Sequence, residues 1–339
     1  MTPPSKKSPA PRVGAPTRAL LTGGAGALAQ RVISRLGADP SCERLVVCDR
    51  EAPELSVQAE GRVFGEALDL THPVADQRVK ALIEAHEINT VIHLGFLALP
   101  THHSAWAHEV EAIGTLHLLN GCAAAGVDAV LLQSSTAVYG PHPRNPNFLS
   151  EDQPLRGVPA SRFVCDRVEA ERLLARFKRD CPETRCVSLR LAPLLGGTVP
   201  SWASAYLRHP FPLTLLGFDP LVQFLNEIDA ADAVVMAAQR AVDGPLNITG
   251  DGVLPLSVAL RLCGGTPFPL PELAARAWIS ALWSAQLSPL PASFVAFLKH
   301  LCVADSSRAA SELGFQPRYS TREALLAFAA GERPAGLEG

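Results

Sequence analysis

The sequence predicts an α/β fold in which a doubly wound parallel sheet is followed by a smaller, irregular C-terminal region. Apolar runs of strand length alternate with stretches of helical length through the first half of the 339 residues. These runs are continuously apolar, which is typical of parallel strands covered by helices on both faces. After about Leu195 the alternation ends and prolines become frequent. We therefore expect the second half to lie across the ends of the strands.

The elements of the first half are predicted in a regular order. Strands are expected over 19–22, 44–48, 90–94, 129–134 and 186–191, and helices over about 28–36, 74–85, 105–125 and 161–179. Gly37 and Pro40 end the first helix. This order indicates successive βαβ units, from which doubly wound sheets are built.

Composition and charge exclude several classes of protein. The 30 Lys and Arg residues are balanced by 33 Asp and Glu, and the formal net charge of −3 argues against a nucleic-acid partner. No uncharged run reaches about 18 residues, so no membrane-spanning helix is expected. The first residues contain no apolar stretch that would form a secretory signal. Eight scattered cysteines without a CxxC pair indicate buried, reduced thiols and a cytoplasmic location.

The motif Thr22–Ala29 is the first chemical signal, because it has the pattern G-x-x-G-x-x-A between a predicted strand and a predicted helix. Gly23 allows a tight turn, and Gly26 allows the backbone to approach a pyrophosphate. Ala27 and Leu28 begin the helix, whose amides and dipole attract an anion. The motif therefore predicts a dinucleotide site at this turn.

An acidic residue at the end of the next strand supports this site. Asp49 lies 23 residues after Gly26, where a carboxylate can bind the ribose hydroxyls of a dinucleotide. The same carboxylate repels a 2′-phosphate, so the expected cofactor is NAD. Arg50 and Arg31 lie close enough in sequence to accommodate that phosphate, which leaves NADP open.

Several further motifs resemble those of the extended short-chain dehydrogenase/reductases, the NAD-dependent epimerase/dehydratase group. The resemblance covers the chain from Arg18 to about Phe328. Its most specific part is Ser134–Gly140, which is close to the family's SSxxVYG segment. The other matching segments are the glycine turn, Asp69–Leu70, Val91–Gly95, Arg190–Pro193, Asn247–Gly250 and Asp305–Pro317.

The resemblance implies a role for several of these segments. Asp69 and Leu70 are expected beside the adenine, and Leu94 and Gly95 are expected to border the cofactor. The implied partner is a small-molecule substrate, a nucleotide sugar or another hydroxyl or carbonyl compound. The two long helices, over about 105–125 and 161–179, are expected to form a homodimer.

The expected domain organisation combines the alternation with this resemblance. Residues 1–17 are expected to be a disordered tail, 18–196 a Rossmann-type NAD-binding domain, 197–330 a substrate-binding region and 331–339 a second tail. Part of 221–250 is expected to return to the sheet of the first domain.

The family's catalytic positions depart from its pattern in this sequence. The resemblance aligns Ser135 with the serine that holds the reacting oxygen. It places Phe163 at the tyrosine that exchanges a proton, and Arg167 at the lysine that binds the nicotinamide ribose. Glu111 takes the place of an asparagine that supports a proton relay. Arg167 can still bind ribose hydroxyls, whereas a phenylalanine cannot transfer a proton.

Two hypotheses of different class follow. In the first, the chain is an NAD-dependent oxidoreductase, epimerase or dehydratase in which Ser135 orients the reacting oxygen and Arg167 binds the ribose. Another group must then move the proton, and the candidates are Tyr139, Ser161, Ser135 and Glu111. In the second, the chain is a catalytically impaired relative, a pseudoenzyme that binds the dinucleotide and regulates or scaffolds a partner. An alternative register, with Ser161 and Cys165 at the two positions, also lacks the tyrosine and the lysine.

Two other features have structural explanations. His102, His103 and His108 lack acidic or thiol partners at fixed spacing, so we interpret them as solvated loop residues and expect no metal site. The apolar stretch Leu273–Leu287 contains one charge and two tryptophans, and we expect it to line a pocket or join the core. A helix that docks on a partner or on a membrane surface is the alternative.

Overall fold

A computed structural model describes residues 17–54 and 61–331 of the chain. The predicted tails, 1–17 and 331–339, lie outside these ranges except at their inner ends. The structure corrects the first boundary, because the first strand already begins at Thr17. At the other end Gly331 is the last residue described.

In the first half of the chain strands and helices alternate as predicted, and the structure adds one strand there that was not expected. The first part of the chain contains β1 (Thr17–Thr22), α1 (Ala27–Ala38), β2 (Cys42–Asp49), β3 (Val63–Ala67), α2 (Ala75–Ala85), β4 (Thr90–His93), α3 (Ser104–His108), a π-helical turn (Glu109–Ile113), α4 (Gly114–Ala125), β5 (Ala129–Ser135), a 3-10 turn (Thr136–Tyr139), α5 (Arg162–Asp180) and β6 (Arg185–Leu191). The added strand is β3. Its side chains are half-buried or exposed, so it lacks the apolar run on which the strand predictions depended.

The second half of the chain is built from shorter elements. These are β7 (Leu194–Leu195), α6 (Trp202–Leu207), β8 (Leu213–Leu215), β9 (Leu221–Val222), β10 (Leu225–Asn226), α7 (Glu227–Gln239), β11 (Gly244–Ile248), β12 (Leu254–Pro255), α8 (Leu256–Leu262), β13 (Phe268–Leu270), α9 (Glu272–Ser284), a 3-10 segment (Ala292–Leu298), a second π-helical turn (Ala309–Leu313) and α10 (Thr321–Ala329). Apart from β11, its short strands pair as β7–β10, β9–β12 and β8–β13. Within residues 17–54 and 61–331, no helix is long and apolar enough to cross a membrane.

Seven parallel strands form the central sheet, in the order β11–β6–β5–β4–β1–β2–β3. The chain runs outward from β1 through β2 to β3 and then returns to the other side of β1 with β4. The strand order therefore reverses between β1 and β4, and doubly wound sheets bind ligands in the crevice at such a point. The strand β11 comes from the second half of the chain, so the two halves share one sheet.

Helices cover both faces of this sheet with apolar side chains. Leu20 and Leu21 of β1 point to opposite faces, and both are fully buried. One face packs against α1 and α7, and the other packs against α2, α4 and α5. Burial on both faces explains why the strands are continuous apolar runs.

A buried polar network lies at the carboxyl edge of the sheet. Arg190 on β6 donates hydrogen bonds to the carboxylate of Glu171 on α5, from Nε at 3.0 Å and from Nη2 at 2.6 Å. Its Nη1 donates to the Tyr139 hydroxyl oxygen at 2.8 Å and to the Glu151 carbonyl oxygen at 2.9 Å. The Tyr139 hydroxyl in turn donates to Oδ1 of Asn247 on β11 at 2.7 Å. Three of the motifs singled out in the sequence thus meet in one structural cluster.

We expect Tyr139→Phe to lower the free energy of unfolding by about 1–3 kcal/mol, because Arg190 and Asn247 would lose a hydrogen-bond partner in a buried site. Urea denaturation measures the change. The matched control is Tyr319→Phe, since the hydroxyl of Tyr319 has no hydrogen-bond partner among the described residues. Equal stability of the two variants would contradict a structural role for Tyr139.

Candidate functional site

The glycine turn after β1 packs against the end of β4. Gly23 has a φ of 81°, which favours glycine, and a Cβ atom built on it would lie 2.6 Å from the Gly95 backbone. The Gly26 amide donates to the Gly23 carbonyl oxygen at 3.0 Å, and Gly26 is the N-cap of α1. Ala27 and Leu28 lie in the first turn of α1, which contains no acidic side chain. First-turn amides have no acceptor within their own helix, so an anion can bind them.

Asp49 ends β2 and contacts this turn. One of its carboxylate oxygens accepts a hydrogen bond from the Ala25 amide at 2.9 Å, and the other accepts from the Arg50 amide at 2.7 Å. The Asp49 side chain is half-buried and that of Arg50 is exposed. Arg31 is engaged elsewhere, because its guanidinium group forms an ion pair with Glu227 of α7. Of the two nearby arginines, Arg50 is therefore the one beside Asp49.

Asp69 and Leu70 follow β3. The Asp69 carboxylate accepts hydrogen bonds from the Thr71 amide at 2.9 Å and from the Thr71 hydroxyl at 2.7 Å. Burial raises the pKa of Asp69, but these bonds and the charge of Arg50 outweigh it and hold the pKa below its ordinary value. The Leu70 carbonyl oxygen lies 2.8 Å from Nδ1 of His117. The backbone of Leu70 is thus attached to α4.

His93 ends β4 and connects β1 to α4 within the core. Its Nδ1 lies 2.7 Å from the Thr22 hydroxyl oxygen, and its Nε2 lies 3.0 Å from the Thr115 hydroxyl oxygen. Burial lowers the pKa of His93 to about 3, so the imidazole is neutral at physiological pH. The ring anchors the end of β4, and the next two residues, Leu94 and Gly95, lie against the glycine turn.

The three residues expected at the family's asparagine, tyrosine and lysine positions form one buried cluster. Nη1 of Arg167 lies 3.3 Å from Oε2 of Glu111 and donates to the Phe163 carbonyl oxygen at 2.8 Å. The guanidinium carbon lies 3.8 Å from the centroid of the Phe163 ring, which is a cation–π contact. All three side chains are buried. Glu111 belongs to the π-helical turn, a local irregularity that is frequent at functional sites.

The same ion pair holds the segment that follows β4. Oε1 of Glu111 accepts a hydrogen bond from the Leu97 amide at 2.7 Å, and Nη2 of Arg167 donates to the Leu97 carbonyl oxygen. Desolvation lowers the pKa of Arg167 and raises that of Glu111 to about 7, and each charge opposes the change in the other. Because Nη1 contacts Glu111 and Nη2 donates to Leu97, both terminal nitrogens of Arg167 are engaged within the protein.

Four side chains were expected as possible replacements for the family's tyrosine, and they differ in exposure and in hydrogen-bond partners. The Tyr139 hydroxyl is enclosed in the Arg190 network, and burial raises its pKa to about 12. Glu111 is fully buried in its ion pair, and the Ser161 hydroxyl is buried with no hydrogen-bond partner among the described residues. Ser135 ends β5, is half-buried, and accepts a hydrogen bond from the Ala137 amide at 3.2 Å. Of the four, Ser135 alone is partly exposed.

Sequence reasoning missed a second polar cluster, which is centred on the buried Asp166 of α5. The Asp166 carboxylate lies 2.8 Å from Nδ1 of His108 and 3.3 Å from Nε of Arg162. The interpretation of His108 as a solvated loop residue was therefore wrong. The spacing of Arg162 and Asp166 on a predicted helix could have indicated their pairing. No local signal connects either of them to His108, because that contact is a tertiary one.

A cavity opens at the carboxyl ends of β5 and β6. Thr136 and Ala137, which follow β5, and Pro193, which follows β6, line its inner end. The other walls come from the second half of the chain, including α6, α9 and the 3-10 segment. The apolar stretch 273–287 thus lines a pocket through part of α9, while Leu273 at its start is 83% exposed.

The fold, the glycine turn and the cavity at the carboxyl edge together define the class of the protein, an extended short-chain dehydrogenase/reductase. The chain belongs to the NAD dependent epimerase/dehydratase family, whose family model matches residues 19–249. The resemblance inferred from the motifs is confirmed.

Individual relatives extend this similarity over most of the chain. An uncharacterized protein of Mycobacterium tuberculosis is 30% identical over 314 residues, which cover 91% of this chain and 82% of that protein. A UDP-glucose 4-epimerase of Rhizobium leguminosarum bv. trifolii is 27% identical over 244 residues, 64% of this chain and 68% of that enzyme. The solved structure of MoeE5 in complex with UDP-glucuronic acid and NAD superposes with a TM-score of 0.68 at 20% identity, covering 93% of this chain and 98% of that one. This last similarity shows the shared fold.

We expect His93 to make the folded protein less stable in acid. Its pKa rises from about 3 in the folded protein to the ordinary 6.5 in the unfolded chain. Below pH 6.5 the unfolded chain therefore takes up a proton that the folded chain does not bind, which lowers the free energy of unfolding by up to about 1.4 kcal/mol per pH unit. The loss ends near pH 3, where the folded protein also binds the proton.

Urea denaturation at several pH values between neutral and mildly acidic measures this slope. His93→Gln is the comparison, because it removes the titrating group and keeps a side chain that can bridge Thr22 and Thr115. The difference between the two proteins isolates the histidine from other titrating groups. If both show the same dependence on pH, His93 does not act in this way.

Proposed function

We propose that this chain binds NAD at the glycine turn and does not carry out the tyrosine-dependent hydride chemistry of its family. One observation carries the proposal. The positions of the family's tyrosine, lysine and asparagine are joined in a closed, buried cluster of Phe163, Arg167 and Glu111. In this proposal the chain is a pseudoenzyme, and the dinucleotide is a ligand that stabilises or regulates it.

The residues of the turn fit a dinucleotide. Gly26 is exposed at the N-terminus of α1, and no acidic side chain in the first turn of that helix opposes a pyrophosphate. The residues that would hold the cofactor are Gly23, Gly26, Ala27, Leu28, Asp49, Arg50, Asp69, Leu70, Leu94 and Gly95. A bound nicotinamide supplies the capacity to accept or donate a hydride.

NAD is proposed over NADP because of Asp49. Its carboxylate is held at the turn by the amides of Ala25 and Arg50, where it would accept hydrogen bonds from ribose hydroxyls and repel a 2′-phosphate. The ion pair of Arg31 with Glu227 removes one of the two arginines that could offset this repulsion.

In this cluster Phe163 and Arg167 do not take over the roles of the family's tyrosine and lysine. Phe163 has no ionisable group. For Arg167 to bind a ribose as the family's lysine does, it would have to leave Glu111 and Leu97. Leaving one member of a buried ion pair unpaired typically costs about 3–5 kcal/mol. We therefore propose that Arg167 has a structural role.

A second candidate function is the oxidoreductase, epimerase or dehydratase activity expected from the family. The observation that favours it is the position of Ser135, which is half-buried directly before two residues that line the cavity, Thr136 and Ala137. In such an enzyme the Ser135 hydroxyl would hold the reacting oxygen, and proton transfer would depend on a group other than Phe163.

Two further expectations belong to the proposal. A homodimer through the helices over 105–125 and 161–179 is supported by two exposed apolar side chains, Trp106 and Leu116. A cytoplasmic location is supported by the eight cysteines, all of which are free thiols.

We expect Gly23→Ala to abolish measurable NAD binding, because the new Cβ atom would lie 2.6 Å from the Gly95 backbone and displace the turn. Gly126→Ala is the matched control. Gly126 also has a positive φ, of 78°, but a Cβ atom there meets no other atom within 4 Å. Isothermal titration with NAD and with NADP measures both effects. The proposal requires that the wild-type protein and Gly126→Ala bind NAD, and that they bind it more tightly than NADP.

We expect the wild-type protein to show no hydride transfer with UDP-glucose, UDP-glucuronic acid or a panel of uncharged alcohols and ketones. The double variant Phe163→Tyr/Arg167→Lys should gain transfer on part of this panel, since general acid–base catalysis contributes about 10²–10⁴-fold. NADH absorbance and proton NMR of the products measure the reaction. Wild-type turnover that Ser135→Ala abolishes would refute the pseudoenzyme and support the second candidate.

A further inference from the structure

We propose that the cavity at the carboxyl ends of β5 and β6 binds an uncharged, largely apolar small molecule rather than a nucleotide sugar. This inference deepens the proposed function by naming the class of its second ligand. The cavity is open to solvent, and its empty volume of about 1360 Å³ includes the space at its mouth. Its inner end, at Thr136, Ala137 and Pro193, lies at the same edge of the sheet as Ser135.

Aromatic and aliphatic side chains make up most of the wall. The aromatic ones include Trp202, Phe224, Phe268, Trp278, Phe294 and Phe297. Leu213, Leu282 and Leu290 are among the aliphatic ones. An apolar wall of this kind stabilises a bound ligand in proportion to the apolar area of wall and ligand that binding removes from water.

Charged side chains are missing from this wall. Of the described residues, no Asp, Glu, Lys or Arg lines the cavity. Arg208 and Lys299 adjoin lining residues in sequence but contact other groups. Arg208 lies 5.1 Å from the ring of Phe328, and Lys299 Nζ lies 2.6 Å from the Glu272 carboxylate. Among the described lining residues, only His209 and His300 could offer a diphosphate a positive charge, and burial and the nearby charge of Lys299 lower the pKa of His300. A diphosphate placed here would therefore lose its hydration without gaining a lysine or arginine, which is unfavourable.

Most polar groups of the wall are already used within the protein. The Tyr206 hydroxyl donates to the Leu213 carbonyl oxygen at 2.7 Å. The Gln223 amide group donates to the Ala304 carbonyl oxygen at 3.3 Å and accepts from the Ala304 amide at 3.0 Å. The Cys302 thiol contacts a backbone oxygen at 3.4 Å. A ligand with many polar atoms would therefore find few partners here.

The altered catalytic position is continuous with this wall. The ring of Phe163 lies 6.0 Å from that of Phe294, which lies 5.4 Å from Trp202 and 5.6 Å from Phe297. The phenylalanine that removes the family's hydroxyl thus extends the aromatic surface toward the dinucleotide site.

The test uses 1-N-phenylnaphthylamine, a neutral apolar fluorophore, titrated into the full-length protein. We expect saturable binding at one site, with no displacement by a large excess of UDP-glucose. Leu282→Arg, which puts a cation on the α9 wall, should weaken binding by about tenfold or more. Ser280→Arg is the matched control on the same helix, because Ser280 is exposed and does not line the cavity; it should bind as the wild type does.

Thermal melting and NAD titration of the same samples separate this inference from the proposed function. Absence of saturable fluorophore binding in a folded protein that binds NAD would overturn the inference alone. Displacement of the fluorophore by UDP-glucose from the wild-type protein would also overturn it, and does not depend on either variant folding. Fluorophore binding by a protein that fails to bind NAD would support the inference and refute the proposed function.

Discussion

The site depends on two buried ion pairs. Both are formed by side chains on one face of α5, in neighbouring turns. Arg167 binds Glu111 on the helix that follows β4, and Glu171, four residues later, binds Arg190 on β6. Charges are costly to bury unless they are paired and hydrogen-bonded. Here each of the four side chains has further hydrogen bonds or cation–π contacts. The position of α5 is therefore fixed both to the sheet and to the segment beside the glycine turn.

These two pairs also engage polar side chains near the carboxyl edge of the sheet. The chain has three tyrosines, and Tyr139, the one near the carboxyl edge of the sheet, is bound to Arg190 and Asn247. Arg167, the residue expected at the position of the family's lysine, is bound to Glu111 and to the backbone of Leu97. Tyr139 and Arg167 thus both take part in the contacts that hold α5.

The phenylalanine at position 163 also matches the apolar character of the cavity. Relatives of this family include a UDP-glucose 4-epimerase, whose named substrate contains a diphosphate. In this chain the wall beside Phe163 is aromatic and uncharged among the described residues. A phenylalanine at this position suits an apolar neighbour because it needs no hydrogen-bond partner.

The sequence by itself determined the features that depend on local patterns. The strands, the helices, the glycine turn and the acidic end of β2 each lie within a short stretch, where periodicity and residue type specify the backbone. It missed β3, whose five residues are only partly buried and show no apolar run. The tertiary structure alone decided the pairs Glu111–Arg167, 56 residues apart, and Arg31–Glu227, 196 apart. It also assembled a cavity from residues between Thr136 and Cys302. Such contacts join side chains through space, and no spacing along the chain encodes which of them will meet.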